Sequence, residues 1–195
     1  SAYGAEGKLV SSAFYQSSEE IAQKFQESLD RCVENSSSNV GQAALSALVG
    51  NWSYERSIED SLTQSTQTVR GSIAFSLQEP HFDSLRYRED GSLVLPNGSE
   101  LEVFREYDYI CKNDTLEIYF VENGKRTYLF LSLKFERKVD GYWVATSDHL
   151  CIKDLYKGTF RIAFDGTGAT AVSMSYRVKG PNKDYESVTH LRPVL

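Results

Sequence analysis

The sequence predicts a mainly-β protein: a closed antiparallel up-and-down barrel of about nine or ten strands with helices before it. Three observations predict it. From Gly50 onward apolar residues recur with a period of two in short runs. Turn signals such as Glu122-Asn123-Gly124 and Asp140-Gly141 separate the runs at hairpin spacing. Twelve Tyr and ten Phe against one Met in 195 residues make a composition suited to pleated, half-buried surfaces. Sustained βαβ alternation and Gly-rich phosphate loops are missing, which excludes Rossmann and P-loop architectures. Closing so long a meander removes its exposed edges.

Each element follows from local pattern. Ser17-Ser18-Glu19-Glu20 opens a helix, since a hydroxyl caps it and the acids favour its N-terminal dipole. Ile21, Phe25, Leu29 and Val33 give it one apolar stripe to Glu34, and Asn35-Ser36-Ser37-Ser38 breaks it. That stripe packs on its own barrel or, alternatively, binds a protein partner. A second helical piece, Val40–Val49, stops at Gly50.

The period then changes to two. Trp52, Tyr54, Arg56 and Ile58 share one strand face; Val69, Gly71, Ile73, Phe75 and Leu77 share the next. Leu85 and Tyr87 follow, with turns expected at Glu89-Asp90-Gly91 and Pro96-Asn97-Gly98. Strands Leu101–Cys111, Leu116–Phe120, Thr127–Glu136, Tyr142–Ile152, Tyr156–Phe164, Ala169–Val178 and Tyr185–Arg192 complete the series. The expected division is a helical extension over 1–49 and a barrel domain over 50–195.

Composition narrows the function classes. Hydrophobic residues at 41% and charged residues at 25% exclude a disordered or collagenous chain. A net charge of −6, from 21 basic and 27 acidic residues, speaks against a nucleic-acid partner. No run has the length of a membrane span, and Ser1–Ser12 lacks the pattern of a signal peptide. Cys32, Cys111 and Cys151 are odd in number and far apart, which reads as reduced core thiols rather than a disulfide framework. Four Asn-x-Ser/Thr triplets, at Asn35, Asn51, Asn97 and Asn113, leave secretion open, but an intracellular soluble protein, cytoplasmic or organellar, is the preferred expectation.

Two resemblances rest on particular residues. Gly50-Asn51-Trp52 on the first strand, with Arg192 on the last, resembles the lipocalin/calycin signature. That likeness implies a Trp closing one barrel end and a late Arg packing across it. The stretches Gly50–Ile58, Leu85–Gly91, His149–Gly158 and Gly180–Tyr185 resemble DUF6314, a calycin-like family of uncharacterised function, over about three quarters of the chain. It implies a calycin-like barrel and no activity.

Candidate site residues come from the strand faces. Arg56 shares a face with Trp52, so both point inward together. Arg105, Tyr107 and Tyr109 share another face, as do Trp143, Ala145, Ser147, His149 and Cys151. Buried guanidinium groups need acids, carbonyls or a ligand anion. Two readings follow: a polar-lined cavity, or structural pairing of the arginines with Glu55, Glu106 or Asp154. His149, Cys151 and Asp154 include metal-ligand types, but no HxH or HExxH completes a set even with His81 and His190, so no metal is assigned. His149 with Asp154 and Tyr156 forms a candidate acid–base set. Gly180–Asp184 reads as a turn, or as a loop presenting Lys183 at a cavity mouth.

The leading expectation is binding of a small, partly apolar, anionic ligand. Trp52, Tyr54, Arg56, Arg105, Tyr107, His149, Lys183 and Arg192 are the candidate ligand-binding residues. The alternatives are an enzyme using His149 in the same cavity, or an accessory subunit whose interior is merely packed. The sequence names no cofactor.

Overall fold

Ten strands wind up and down around a closed barrel in the computed structural model. It describes Gln23 and residues 40–79, 84–95, 97–151 and 153–194, without the side chain of Cys151. The helix expected over 17–34 with its stripe Ile21, Phe25, Leu29 and Val33, together with Cys32, Asn35 and His81, lies outside the described residues. From Val40 onward the chain forms one unit.

That unit begins with helix α1 (Val40–Leu48), followed by β1 (Gly50–Asp60), β2 (Ser65–Leu77), β3 (Ser84–Val94), β4 (Glu100–Lys112) and β5 (Thr115–Glu122). The second half is β6 (Lys125–Val139), β7 (Tyr142–Cys151), β8 (Asp154–Asp165), β9 (Gly168–Lys179) and β10 (Asp184–Pro193). Every strand pairs antiparallel with its sequence neighbours, and β1 pairs with β10 to close the ring. Two hairpin turns have the left-handed backbone that tight two-residue loops demand: Asn123-Gly124 at φ 52° and 73°, and Asp140-Gly141 at 51° and 84°.

Alternation along β1 puts Trp52, Tyr54 and Arg56 inside and Asn51, Ser53 and Glu55 outside. Helix α1 is rich in Ala and Leu, good helix formers, and buries Ala44, Leu45 and Leu48. It touches β4, β5, β6, β8 and β9. Strands so far apart around the ring are met together only by a helix lying across a barrel end. Trp52 anchors it there: its Nε1 donates to the Leu48 carbonyl at 2.9 Å, satisfying an orphan acceptor at the helix C-terminus. One end of the barrel is thus plugged.

The expected turn at Glu89-Asp90-Gly91 is absent; those residues run through the middle of β3. The reason is a close approach. Gly91 faces Gly71 across the β2–β3 ladder, and a Cβ on Gly91 would lie 2.1 Å from the Tyr54 hydroxyl oxygen. Gly91 makes room for the Tyr54 side chain and Gly71 for the β3 backbone itself, so the Asp-Gly pair serves packing rather than chain reversal. In β6 the register slips opposite Tyr119. The bulge lets consecutive residues Phe130 and Leu131 both face inward: Leu131 is fully buried and Phe130 stacks on Tyr107.

Candidate functional site

The barrel interior divides into two halves. Near α1 it is solid: Leu48, Ile73, Leu85, Leu116, Ile118 and Ile162 are all buried to within 1%.

Across the middle lies a polar floor. Arg56 and Glu89 form a two-pronged ion pair, Nη1 to Oε1 and Nη2 to Oε2, both 2.7 Å. The Glu89 carboxylate also accepts from the Tyr54 hydroxyl at 3.0 Å and from the Tyr87 hydroxyl. Arg56 Nε donates to Thr189 Oγ1 at 2.8 Å. Glu89 is fully buried and Arg56 nearly so. Burial pushes the Glu89 carboxyl upward, but the hydrogen bonds and charge of Arg56, with help from Tyr87 and Arg105, hold it below the usual carboxylate range. Burial also drives the Tyr54 and Tyr87 hydroxyls well above the ordinary phenol value, so both stay protonated and donate.

Above the floor the wall is uneven: Val178 and Ser187 stay buried on β9 and β10, while inward positions on β4, β5 and β6 are partly or fully exposed. Arg105 pairs in register with Glu89, so its side chain belongs to the same inner face. It is nevertheless exposed. The protein around it opposes its charge by desolvation, while its interactions with Tyr107 and with the Glu89 carboxylate outweigh that and hold its pKa up. Its side chain is thus partly surrounded by protein and yet reaches solvent from the inner face. Among the described residues no acid forms an ion pair with Arg105, and Tyr107 stands two residues along β4 on the same inner face. Arg56 and Glu89 neutralise each other, so Arg105 leaves this level with one uncompensated positive charge.

An aromatic band climbs from the floor to the mouth. Tyr87 stacks on Tyr109 at 5.6 Å and meets Tyr107 at 5.5 Å. Tyr107 stacks on Phe130 at 5.6 Å and touches Phe120. Phe130 meets Tyr156 and Tyr176 at 5.7 and 5.9 Å, and Phe120 reaches Tyr128 at the rim. Tyr87 and Tyr109 are buried, whereas Tyr107, Phe120, Phe130, Tyr156 and Tyr176 are partly exposed; those rings make a wall suited to a flat or chain-like apolar molecule.

The candidate residues therefore fall into separate places. Arg105, Tyr107 and His149 face the open half, and His149 sits directly across from Tyr156 on the β7–β8 hairpin. Tyr54 and Arg56 belong to the floor, with their polar atoms committed to Glu89. Trp52 belongs to the plug, as the calycin likeness implied. Arg192 does not pack across it: β10 alternation puts Leu191 inside, while Arg192 is exposed and registers with outward Ser53. Lys183 is held in the β9–β10 turn by Asp154 at 2.7 Å and by the Tyr156 hydroxyl at 3.3 Å. Asp154 is thereby engaged, and among the described residues no hydrogen bond joins it to His149. The three acids expected for the arginines go elsewhere: Glu55 to Arg70, Glu106 to Arg88, Asp154 to Lys183. Glu89 was the residue missed. The period-two run Leu85, Tyr87, Glu89 carried its signal, hidden by reading Glu-Asp-Gly as a turn.

Residues 48–193 match DUF6314, a family of unknown function. The chain belongs to DUF6314. Two solved structures share the DUF6314 barrel fold. One is the S-type phycobiliprotein lyase CPES from Guillardia theta, 11% identical, with a TM-score of 0.54 over 77% of this chain and 90% of that one. The other is Rv2717c from M. tuberculosis, 14% identical, with a TM-score of 0.52 over 78% of this chain and 96% of that one. At such identities the likeness is one of fold. No curated protein matches this DUF6314 sequence.

Proposed function

We propose that this DUF6314 barrel binds a small elongated ligand in its open half. The ligand is apolar or aromatic along most of its length and carries a single negative charge at one end. The observation that supports this reading is Arg105: an inward guanidinium, exposed and without an acid partner among the described residues, beside a neutral ion pair. A planar fork of donors at the base of an aromatic funnel suits a carboxylate or sulfonate. Tyr107, whose hydroxyl is kept protonated by burial, adds a donor. Phe120, Phe130 and Tyr156 supply the wall for the apolar body. The fold shared with a phycobiliprotein lyase adds a precedent in which such a barrel belongs to a protein with a chemical activity.

The aromatic anion 1-anilinonaphthalene-8-sulfonate is a direct probe. Its fluorescence is expected to rise on entering the funnel of the wild-type protein. A charge-assisted hydrogen bond contributes roughly 1.5–3 kcal/mol, so Arg105→Leu is expected to weaken binding by about ten- to a hundredfold. Undiminished binding in Arg105→Leu, with Phe130→Ala equally silent, would place the dye outside the lumen and sink the reading.

A further inference from the structure

Outside the barrel, beside its mouth, the β7–β8–β9 wall carries an exposed apolar and basic patch that the lumen does not explain. Leu150 and Leu155 are direct cross-strand partners on the outer face, 66% and 37% exposed. Leu155 registers on its other side with Lys179, and Lys157 lies two residues along β8 on the same face. Lys153 sits in the turn between the two leucines. Lys153, Lys157 and Lys179 are all exposed, and among the described residues none is in an ion pair.

The acids nearby do not neutralise them. Asp148 faces Lys157 from β7 without an ion pair. Asp184, in register with Lys179, is bound to Arg177 at 2.6 Å, and Glu186 faces Arg177 from β10. Three lysines, with Asp148 and Glu186 the two nearby acids in no ion pair among the described residues, stand around two leucines in a chain whose net charge is −6. Leu62, in the β1–β2 turn at the same barrel end, is 60% exposed as well. Exposed apolar side chains grouped at one end mark a docking surface rather than scattered surface residues.

We propose that this edge of the mouth docks on an anionic lipid surface. The pattern is that of an interfacial element: apolar side chains enter the headgroup boundary while lysines around them meet anionic lipids. A hairpin tip suits a fluid surface, because two leucines and three flexible lysines impose no fixed shape on the partner. An acidic protein groove is the competing occupant, and the vesicle test separates the two. The inference rests on the outer wall and is independent of the ligand assigned to the lumen.

The test is co-sedimentation of the full chain with phosphatidylcholine vesicles, with and without phosphatidylserine. The expected result is binding to the phosphatidylserine vesicles alone, weakening as salt rises. Each lysine near such a surface contributes roughly fivefold in partitioning, so the triple variant Lys153→Glu, Lys157→Glu, Lys179→Glu is expected to lose at least about a hundredfold. Leu150→Asp with Leu155→Asp is expected to lose binding too, while both variants keep the wild-type Tm and dye binding. Wild-type protein that ignores phosphatidylserine vesicles, or binds them unaltered by charge reversal, would overturn the proposal and leave the patch to a protein partner.

Discussion

At the scale of single residues, Arg56 and Arg105 show how two arginines on inward strand faces part company. Arg56 meets Glu89 through two 2.7 Å hydrogen bonds and is committed to holding β1 against β3 across β2. Arg105 sits one strand beyond, exposed and with no acid paired to it among the described residues. Removing one partner of a buried ion pair costs about 3–5 kcal/mol, because the other charge is stranded. Glu89→Gln is therefore expected to lower the Tm sharply at pH 7, while Arg105→Leu stays near wild type. The pH dependence follows from the depressed Glu89 carboxyl. Its contribution is complete above the unfolded value near 4.5 and is lost as pH falls through the lower folded value. The stability gap between wild type and Glu89→Gln should accordingly be wide at neutrality and narrow below about pH 4. A gap constant across that range in urea titrations would mean that the carboxylate is not what holds Arg56.

At the scale of elements, β3 carries the lesson about local sequence. Gly91 sits in mid-strand because Tyr54 occupies the place of its missing Cβ, 2.1 Å away. Gly91→Ala is expected to destabilise by about 1–3 kcal/mol through overpacking. Tyr54→Phe, which removes the clashing hydroxyl, should relieve part of that cost, a coupling that a double-mutant cycle of denaturation energies measures. Purely additive losses would show that the glycine serves something other than the tyrosine. The same strand explains what was legible and what was not. Period-two alternation identified the inward faces of β1, β2 and β4, and Asn-Gly and Asp-Gly pairs located two hairpins. It also held Glu89, but the identical Asp-Gly signal at Asp90-Gly91 pointed to a reversal that never occurs. Whether such a pair turns or lies flat depends on a residue about thirty-five positions away, and a local pattern carries no record of that. Partner choice was equally out of reach: Arg56 has an acid, Glu55, one residue off in sequence, yet pairs with Glu89 two strands over.

At the scale of the whole molecule, the net charge of −6 conceals a divided arrangement: a plugged end, a neutral ion-paired floor, and an open half with one uncompensated cation among tyrosines and phenylalanines. The barrel and its family were readable because closure and alternation are properties of the whole meander. The depth of the lumen was not, since it depends on α1 lying across one end and on a bulge in β6 that turns Phe130 inward. The central claim is that the open half selects an apolar anion by means of Arg105. It is tested most directly by comparing two probes of nearly the same shape, 1-anilinonaphthalene-8-sulfonate and the uncharged N-phenyl-1-naphthylamine, on wild type and Arg105→Leu. Wild type should prefer the anion by roughly tenfold or more, and Arg105→Leu should lose that preference while still binding the neutral dye. Equal affinity of wild type for the two dyes, or a preference that survives in Arg105→Leu, would contradict it.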